Sequence, residues 1–532
     1  MLRVTGASMI AALMVALGGS AHGQFTKQGV RLHSNIPLSA FPGAPTSGSG
    51  GSGYVSPSGR EYACFGVRNG VNVVDITNLA APVQVGYVAG PASTWHESAV
   101  VGDYLYFVAD GVNQGMHIID LRLADQGFIS LVGTYTGNNL QRVHTLQGNP
   151  GTNYLYLNGT NIQSGGLVVL DVTNPTNPVQ VGAWNTRYVH DCQIVTYTSG
   201  PYAGREIAFL CCGGGGLYVV DITNKANMVT LDSLDYLVGS NYCHSGVLTA
   251  DGKYFLVNDE TDENNSLVPS CTTHIIDVRN LSDIVYVGPY TNGGNYIDHN
   301  SQRVQDWLHL AAYRGGLRIY NIAAAPTIVE TGYFDTYPGG GYSYTGAWGV
   351  QSGYPSGNIA VFDINRGLFV LDPQEAMGEG APIIGTQVIA GQYLAGGTRE
   401  LRRNDGLEFM ARWAEDPKFE DTPVVSLLVA AATDYSPAVT LDLSVKVRID
   451  GATTGLGAVK ALNRVTNNYD LLGTFPITTA ASTWSRTGLT GSTYVASNGR
   501  MDLELDVYPG IEAEIAAFSV FVDQVKFTVR RS

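Results

Sequence analysis

The chain has 532 residues, among them 65 glycines and 30 tyrosines, and only 14% are charged. That length gives room for a large core and more than one domain, and that composition favours many short strands and tight turns over helices. The net charge of −15 at pH 7 repels phosphates, which argues against nucleic acid and anionic lipid as partners and leaves cations or basic surfaces as the complementary ones.

The N-terminus, MLRVTGASMIAALMVALGGSAHG, has a basic Arg3, an apolar stretch over residues 9–17, and the small residues Ala21 and Gly23 just before Gln24. It reads as a secretory signal peptide over residues 1–23, with an apolar part too short to cross a bilayer. Its removal takes away Arg3 and makes the charge −16. No later segment is long and apolar enough to span a membrane, and the C-terminal VDQVKFTVRRS carries no apolar tail. Residues 24–53 form an N-terminal segment ending in PTSGSGGSG, a Gly/Ser-rich run that reads as a solvated linker.

From Gly70 one phrase recurs: GVNVVDITNLAAPVQVG, GMHIIDLR from Gly115, GLVVLDVTNPTNPVQVG from Gly166, GLYVVDITNKANM from Gly216, THIIDVRNLSD from Thr273, GLRIYNIAAAPTIVETG from Gly316 and GLFVLDP from Gly367. The closing residues are Asp75, Asp120, Asp171, Asp221, Asp277, Asn321 and Asp372, with gaps of 45, 51, 50, 56, 44 and 51 residues. Each repeat holds four short apolar-alternating segments separated by Gly, Asn and Asp turns, the pattern of hairpin-linked antiparallel strands. Such a period in an all-β pattern predicts a β-propeller with one blade per repeat, here seven-bladed and covering residues 54–392. Val73, Ile118, Val168, Val219, Ile275, Ile319 and Val370 are expected to pack between neighbouring blades. The ring is expected to close either on its own strands or with a clasp from residues 24–50 or 380–392. Residues 398–532 alternate differently, as in MDLELDV from Met501, with one wet and one buried face expected. They predict a jelly-roll-like β-sandwich. Trp413, Tyr469 and Trp484 there are candidates either for stacking on a sugar or for core packing.

Six cysteines, five of them at Cys192, Cys211, Cys212, Cys243 and Cys271, fit an oxidising compartment. Their pairing is not legible from sequence, and without paired CxxC spacings cysteine ligation of zinc is disfavoured. Cys64 is expected to be a buried free thiol.

The sharpest signal lies upstream of each repeat phrase, at the start of the innermost strand. Five repeats place a histidine there: His96, His144, His190, His244 and His299, with Tyr54 and Trp348 in the other two. One of the ten histidines lies in the signal peptide, so five of nine share one register. Innermost strands line a propeller's axis, so these rings should gather near one mouth. Converging imidazoles with Asp191, Asp298 and Glu97 nearby are what a divalent transition metal such as zinc requires. The expected metal ligands are His96, His144, His190, Asp191, His244, Asp298 and His299, with calcium less favoured than zinc. The same register also fits histidines that merely bond the next blade. A third reading makes His190, with Arg187 and Tyr188, an acid/base site for an acidic sugar. Residues 258–264 (NDETDEN) are rich in oxygen donors, but their spacing departs from the EF-hand loop, and they read as a solvated acidic turn. The glycines at 213–216 lack the lysine and helix of a phosphate loop.

The phrases GLVVLDVTNP and GLYVVDITNK resemble the LVIVD repeat. The longer order YVHDCQIV, GREIAFLCCGGGGLYVVD, YCHSGVLTADGKYFLVNDETDE, IDHNSQRV and GAWGVQSGYPSGNIAVFDINRGLFVLD is similar to the bacterial choice-of-anchor B family of exported propellers. His190-Asp191, His244, Asp259-Glu260 and Asp298-His299-Asn300 fall on that family's motifs. The chain departs from them at Trp95-His96-Glu97-Ser98 and lacks an evident anchor. The resemblance implies export and fold rather than a reaction. The expected function is therefore a secreted or cell-surface binding protein with a protein or glycan ligand and association with the cell envelope. A metal-dependent hydrolase or polysaccharide lyase centred on the histidines is the alternative.

Overall fold

Every repeat phrase ends in the same small device. The side-chain oxygen of Asp75, Asp120, Asp171, Asp221, Asp277, Asn321 and Asp372 accepts the backbone N–H two residues on, at 2.8–3.0 Å. This closes an Asx turn, and short acidic or amide side chains are favoured there because they reach their own backbone. The β-branched run before each turn forms a strand buried on both faces.

The computed structural model describes residues 25–237, 242–378, 383–390, 392–395, 409–414, 424–433, 440–450, 454–509 and 517–530. The signal peptide expected over residues 1–23 lies outside them. Seven antiparallel sheets, numbered in chain order, follow the seven phrases among the described residues. The innermost strand is Gly48–Val55 in sheet one, His96–Val101 in two and Thr145–Gly148 in three. Asp191–Thr196, Cys243–Leu248, Asn300–Val304 and Ala347–Gln351 follow in sheets four to seven. Each innermost strand touches that of the next sheet, and Ala347–Gln351 touches Gly48–Val55, so the contacts form a circle. The chain is all-β, with the sheet order of a β-propeller.

Closure uses the N-terminal segment. Arg31–Ile36 is the outer strand of sheet seven, pairing antiparallel to Gly367–Asp372 with Leu32 opposite Leu371 and Asn35 opposite Phe369. Lys27–Gln28 adds a fifth strand to sheet six. Ile383–Ala390, the other candidate clasp, pairs instead with Val425–Ala432.

The run read as a solvated linker is corrected by this arrangement: Gly48–Val55 is an innermost strand, mostly buried. Its glycines are there for lack of space. A Cβ on Gly50 would lie 2.0 Å from the Glu97 carboxylate, and one on Gly51 would lie 2.4 Å from the Cys64 carbonyl oxygen and 2.8 Å from the Phe362 ring. Gly51→Ala is expected to cost about 1–3 kcal/mol, the usual range for overpacking, read as a lower urea midpoint at unchanged slope.

Burial between sheets follows the repeat register, with one slip. Val73, Ile118, Val219, Ile275, Ile319 and Val370 lie two residues before the closing residue and are all buried between neighbouring sheets. In sheet three that place belongs to Val169, which faces sheet four, whereas Val168 faces back to sheet two. A step of one residue in a strand reverses the face.

All six cysteines are buried and free, so no disulfide joins the sheets. Cys64 is the buried thiol the sequence suggests, and burial pushes its pKa up to about 12.

The C-terminal strands form two five-stranded antiparallel sheets that share one apolar cluster including Leu427, Val445, Val459, Ile477, Leu503 and Val522. In Arg500–Pro509, Met501, Leu503, Leu505 and Val507 point into that cluster. The opposite face is not simply wet. Asp502 pairs with Arg464 and Arg500, and Lys460 sits between Glu504 (2.6 Å) and Asp506. Trp484 packs on the cluster beside Phe475, Tyr469 is half-buried, and the Trp413 side chain lies outside the described residues. No described helix is long and apolar enough to cross a membrane.

Candidate metal centre at the histidine arc

A hydrogen bond repeats at the start of the innermost strands and fixes their common register. The hydroxyls of Ser49, Thr145 and Ser245 lie 3.0, 2.8 and 2.6 Å from the carbonyl oxygens of His96, His190 and His299 in the next sheet. Asn300 Nδ2 reaches the Trp348 carbonyl at 3.3 Å. By this bond the position preceding Ser49 is Gly48. Tyr54 therefore does not share the register. It sits at the other end of its strand, where its hydroxyl donates to Asp103 at 2.9 Å. Trp348 does occupy the equivalent place in sheet seven.

Four imidazoles form a continuous arc. Ring centroids are 4.3 Å apart for His144 and His190, 4.1 Å for His190 and His244, and 4.3 Å for His244 and His299. Trp348 continues the arc, 4.9 Å from His299. The outward nitrogens are held by acceptors. His144 Nδ1 is 3.0 Å from Asp110 Oδ2, and His190 Nδ1 is 3.2 Å from the His244 carbonyl oxygen. His299 Nδ1 bonds the Trp348 carbonyl. A carbonyl can only accept, and so can Asp110, whose carboxyl the bond from His144 holds below its ordinary range. These three Nδ1 atoms therefore carry the protons, and each Nε2 presents a lone pair inward.

The inward nitrogens meet. His144 Nε2 and His190 Nε2 are 2.8 Å apart. Two lone pairs at that distance repel unless a proton or a cation lies between them. Donor atoms of His190, His244 and Glu260 all lie within 4.8 Å of one another. Glu260 reaches His244 Nε2 at 3.5 Å through Oε2 and His299 Nε2 at 3.6 Å through Oε1. The Tyr313 hydroxyl donates to Glu260 Oε1 at 2.5 Å. Burial drives the pKa of His190 and His244 well below the ordinary value and that of His299 down to about 3. At neutral pH these rings are uncharged, which is the ligating form. Burial also raises the carboxyl of Glu260.

Of the seven expected ligands, the structure brings together His144, His190, His244 and His299. His96 stands apart: its Nδ1 bonds the Val67 carbonyl at 2.8 Å, its ring packs on Phe107, and burial lowers its pKa to about 4. Asp191 accepts from its neighbour's Cys192 N–H at 2.8 Å, and burial raises its carboxyl to about 6. Asp298 belongs to a second group with Asp262 and Glu263. Glu260 is the member that register reasoning misses. It follows the second strand of sheet five, Tyr254–Asp259, not an innermost one, and its signals are its place in the acidic run and in the Asp259-Glu260 motif that the family resemblance marks. That run is not a solvated turn: Asn258, Asp259, Asp262 and Glu263 are at most 2% exposed.

The sheet order and the repeated phrase define a β-propeller. The LVIVD repeat model matches residues 50–89, 152–186 and 208–235, which fall on sheets one, three and four, so the chain carries LVIVD repeats. Among solved structures it is similar to Kuenenia stuttgartiensis hydrazine synthase (15% identity, 60% of this chain and 94% of that one, TM-score 0.39). It is also similar to the β-propeller domain of Myceliophteria thermophila Cps50 (Swd1) (13%, 60% and 95%, 0.40) and to the WD40 repeats of RRP9 (10%, 64% and 97%, 0.41). No curated protein matches.

Proposed function

We propose that the chain is an exported, envelope-associated binding protein. In this reading a seven-bladed propeller, followed by a β-sandwich, holds a zinc-class ion at one axial mouth through His144, His190, His244, His299 and Glu260. The observation that carries the reading is the 2.8 Å approach of two Nε2 atoms whose rings both keep their proton on Nδ1. A shared divalent cation removes that conflict, and five donors exceed the three or four that zinc takes. Support for export comes from the N-terminal pattern and the choice-of-anchor B motifs. A protein or glycan ligand suits the exposed aromatics here: Trp95, Tyr188 and Tyr344 are 44%, 39% and 47% exposed beside His96, His190 and Tyr313, and exposed apolar groups are the kind of surface a ligand covers.

Elemental analysis of tag-free protein tests the ion. About one equivalent of zinc is expected, the stoichiometry of a single tetrahedral centre, removed by chelator and absent from the His190→Ala/His244→Ala variant. Metal at trace level after refilling with zinc or manganese would return these histidines to a structural role.

A hydrolase or lyase at the same centre is favoured by one feature, the half-buried Glu260 with raised proton affinity held by the Tyr313 phenol, an acid/base pair beside the ion. Turnover of an ester or polyuronide that is lost in Tyr313→Phe at unchanged zinc content would establish it.

A further inference from the structure

The second acidic group carries a site of its own. Asp262 and Glu263 lie on the loop after Tyr254–Asp259 of sheet five, and Asp298 stands two residues before the innermost strand of sheet six. One oxygen from each lies within 4.8 Å of one from each of the others. All three are at most 2% exposed.

Each carboxylate is held in the same way, by one oxygen. Asp262 Oδ2 is 2.8 Å from His274 Nε2, whose Nδ1 is 2.9 Å from the Tyr286 hydroxyl. Glu263 Oε1 accepts the Thr272 backbone N–H at 3.0 Å. Asp298 Oδ2 accepts Asn258 Nδ2 at 2.7 Å. The other oxygens, Asp262 Oδ1, Glu263 Oε2 and Asp298 Oδ1, meet no donor among the described residues. The same is true of the carbonyl oxygen of Asn258, a fully buried amide turned to Asp298. Leaving one buried acceptor unsatisfied costs about 1–3 kcal/mol, so three neighbouring carboxyls and an adjoining amide, each with one such acceptor, call for an occupant.

We propose that Asp262, Glu263 and Asp298, with the Asn258 amide oxygen, bind a calcium ion that ties sheet five to sheet six. The donor set is oxygen only, which suits hard cations. Calcium–oxygen distances of about 2.3–2.6 Å place opposed ligands about 5 Å apart, and one oxygen from each of the three carboxylates lies within 4.8 Å of the others. Three carboxylates in a dry site favour calcium over magnesium, which keeps its waters. The bonds from His274, Thr272 and Asn258 fix the direction of each ligand, as outer-shell partners of metal sites do. The site is separate from the histidine centre and does not depend on it. It does stand behind it: Asp298 precedes His299, and Asp262 follows Glu260 by two residues, so calcium would hold the backbone that presents both.

Equilibrium dialysis of the chelated mature chain against radioactive calcium is the test. Saturable uptake of one ion per chain is expected below about 1 mM, within the range of extracellular calcium modules. Glu263→Gln and Asp298→Asn are each expected to weaken it at least about tenfold, the loss that even an outer-shell defect produces. His190→Ala is expected to leave calcium uptake intact while losing zinc, so failure of either site is read independently. Should both carboxylate variants fail to fold, the unmodified chain still decides, because calcium must raise its denaturation temperature. No saturable uptake, no thermal shift, or equal affinity in folded variants would leave protons alone in this pocket and overturn the proposal. Uptake of manganese or magnesium in place of calcium would overturn the choice of ion.

Discussion

Zinc at a thousand times its dissociation constant is expected to raise the unfolding free energy of the chelated chain by about 4 kcal/mol, and to do so only while the histidine arc is complete. A folded-state site that the unfolded chain lacks converts binding into stability directly. His190→Ala should have two separable effects. The cavity and the lost bond from Nδ1 to the His244 carbonyl cost about 2–4 kcal/mol, with or without zinc, as buried truncations do. The zinc-dependent increment should fall to near zero, because His190 contributes to both the 2.8 Å pair with His144 and the group with His244 and Glu260. The readout is the difference between urea midpoints with zinc and with chelator, for parent and variant. An equal zinc increment in both proteins would remove His190 from the centre. Because burial keeps His190, His244 and His299 neutral well below the ordinary histidine value, zinc uptake should also persist to lower pH than at exposed histidines.

Much of this arrangement is legible in the sequence because the fold is a repeat. A histidine seen once carries no information. Seen at His144, His190, His244 and His299 in one register, it predicts an arc, since each repeat delivers its first strand to the same radius. Where a side chain is fixed by something other than the register, the prediction fails. Glu260 enters from a loop, and its presence among oxygen-rich neighbours looks like a surface turn until the loop folds inward. Asp298 and Asp191 flank histidines yet turn elsewhere, Asp298 to Asn258 and Asp191 to the Cys192 N–H. The sequence points to Tyr54 for this register because PTSGSGGSG carries no apolar alternation. The strand there is held by close backbone approach at Gly50 and Gly51, which leaves no hydrophobic trace. Closure is open in the sequence for a related reason. Arg31–Ile36 and Ile383–Ala390 are both plausible edge strands, and only pairing decides between them.

Glu97 gives the second large effect, with a sign opposite to that of most acidic residues. It reaches from sheet two past Gly50 of sheet one to sheet seven, with Trp348 Nε1 donating to its Oε1 at 2.8 Å and Gly50 leaving it room. Burial, reinforced by the charge of Asp191 and opposed by the Trp348 bond, raises its pKa from 4.5 to about 8. The folded chain therefore holds a proton there that the unfolded chain has released. The stabilisation is complete below pH 4.5, declines as pH rises through about 8, and is gone above it. The whole interval corresponds to about 5 kcal/mol. Glu97 is only half-buried, and screening by water leaves about 3 kcal/mol. Glu97→Gln keeps the acceptor for Trp348 and removes the charge. It should match the parent at pH 4 and exceed it by that amount at pH 9, measured as unfolding free energies across the series. Other buried acids cancel in the difference, since both proteins contain them. Asp191→Asn in the parent should move the decline to lower pH, because one of the two causes is then absent. Parallel stability curves for parent and Glu97→Gln would mean that the carboxylate is already charged in the channel, and that its partner there is a cation.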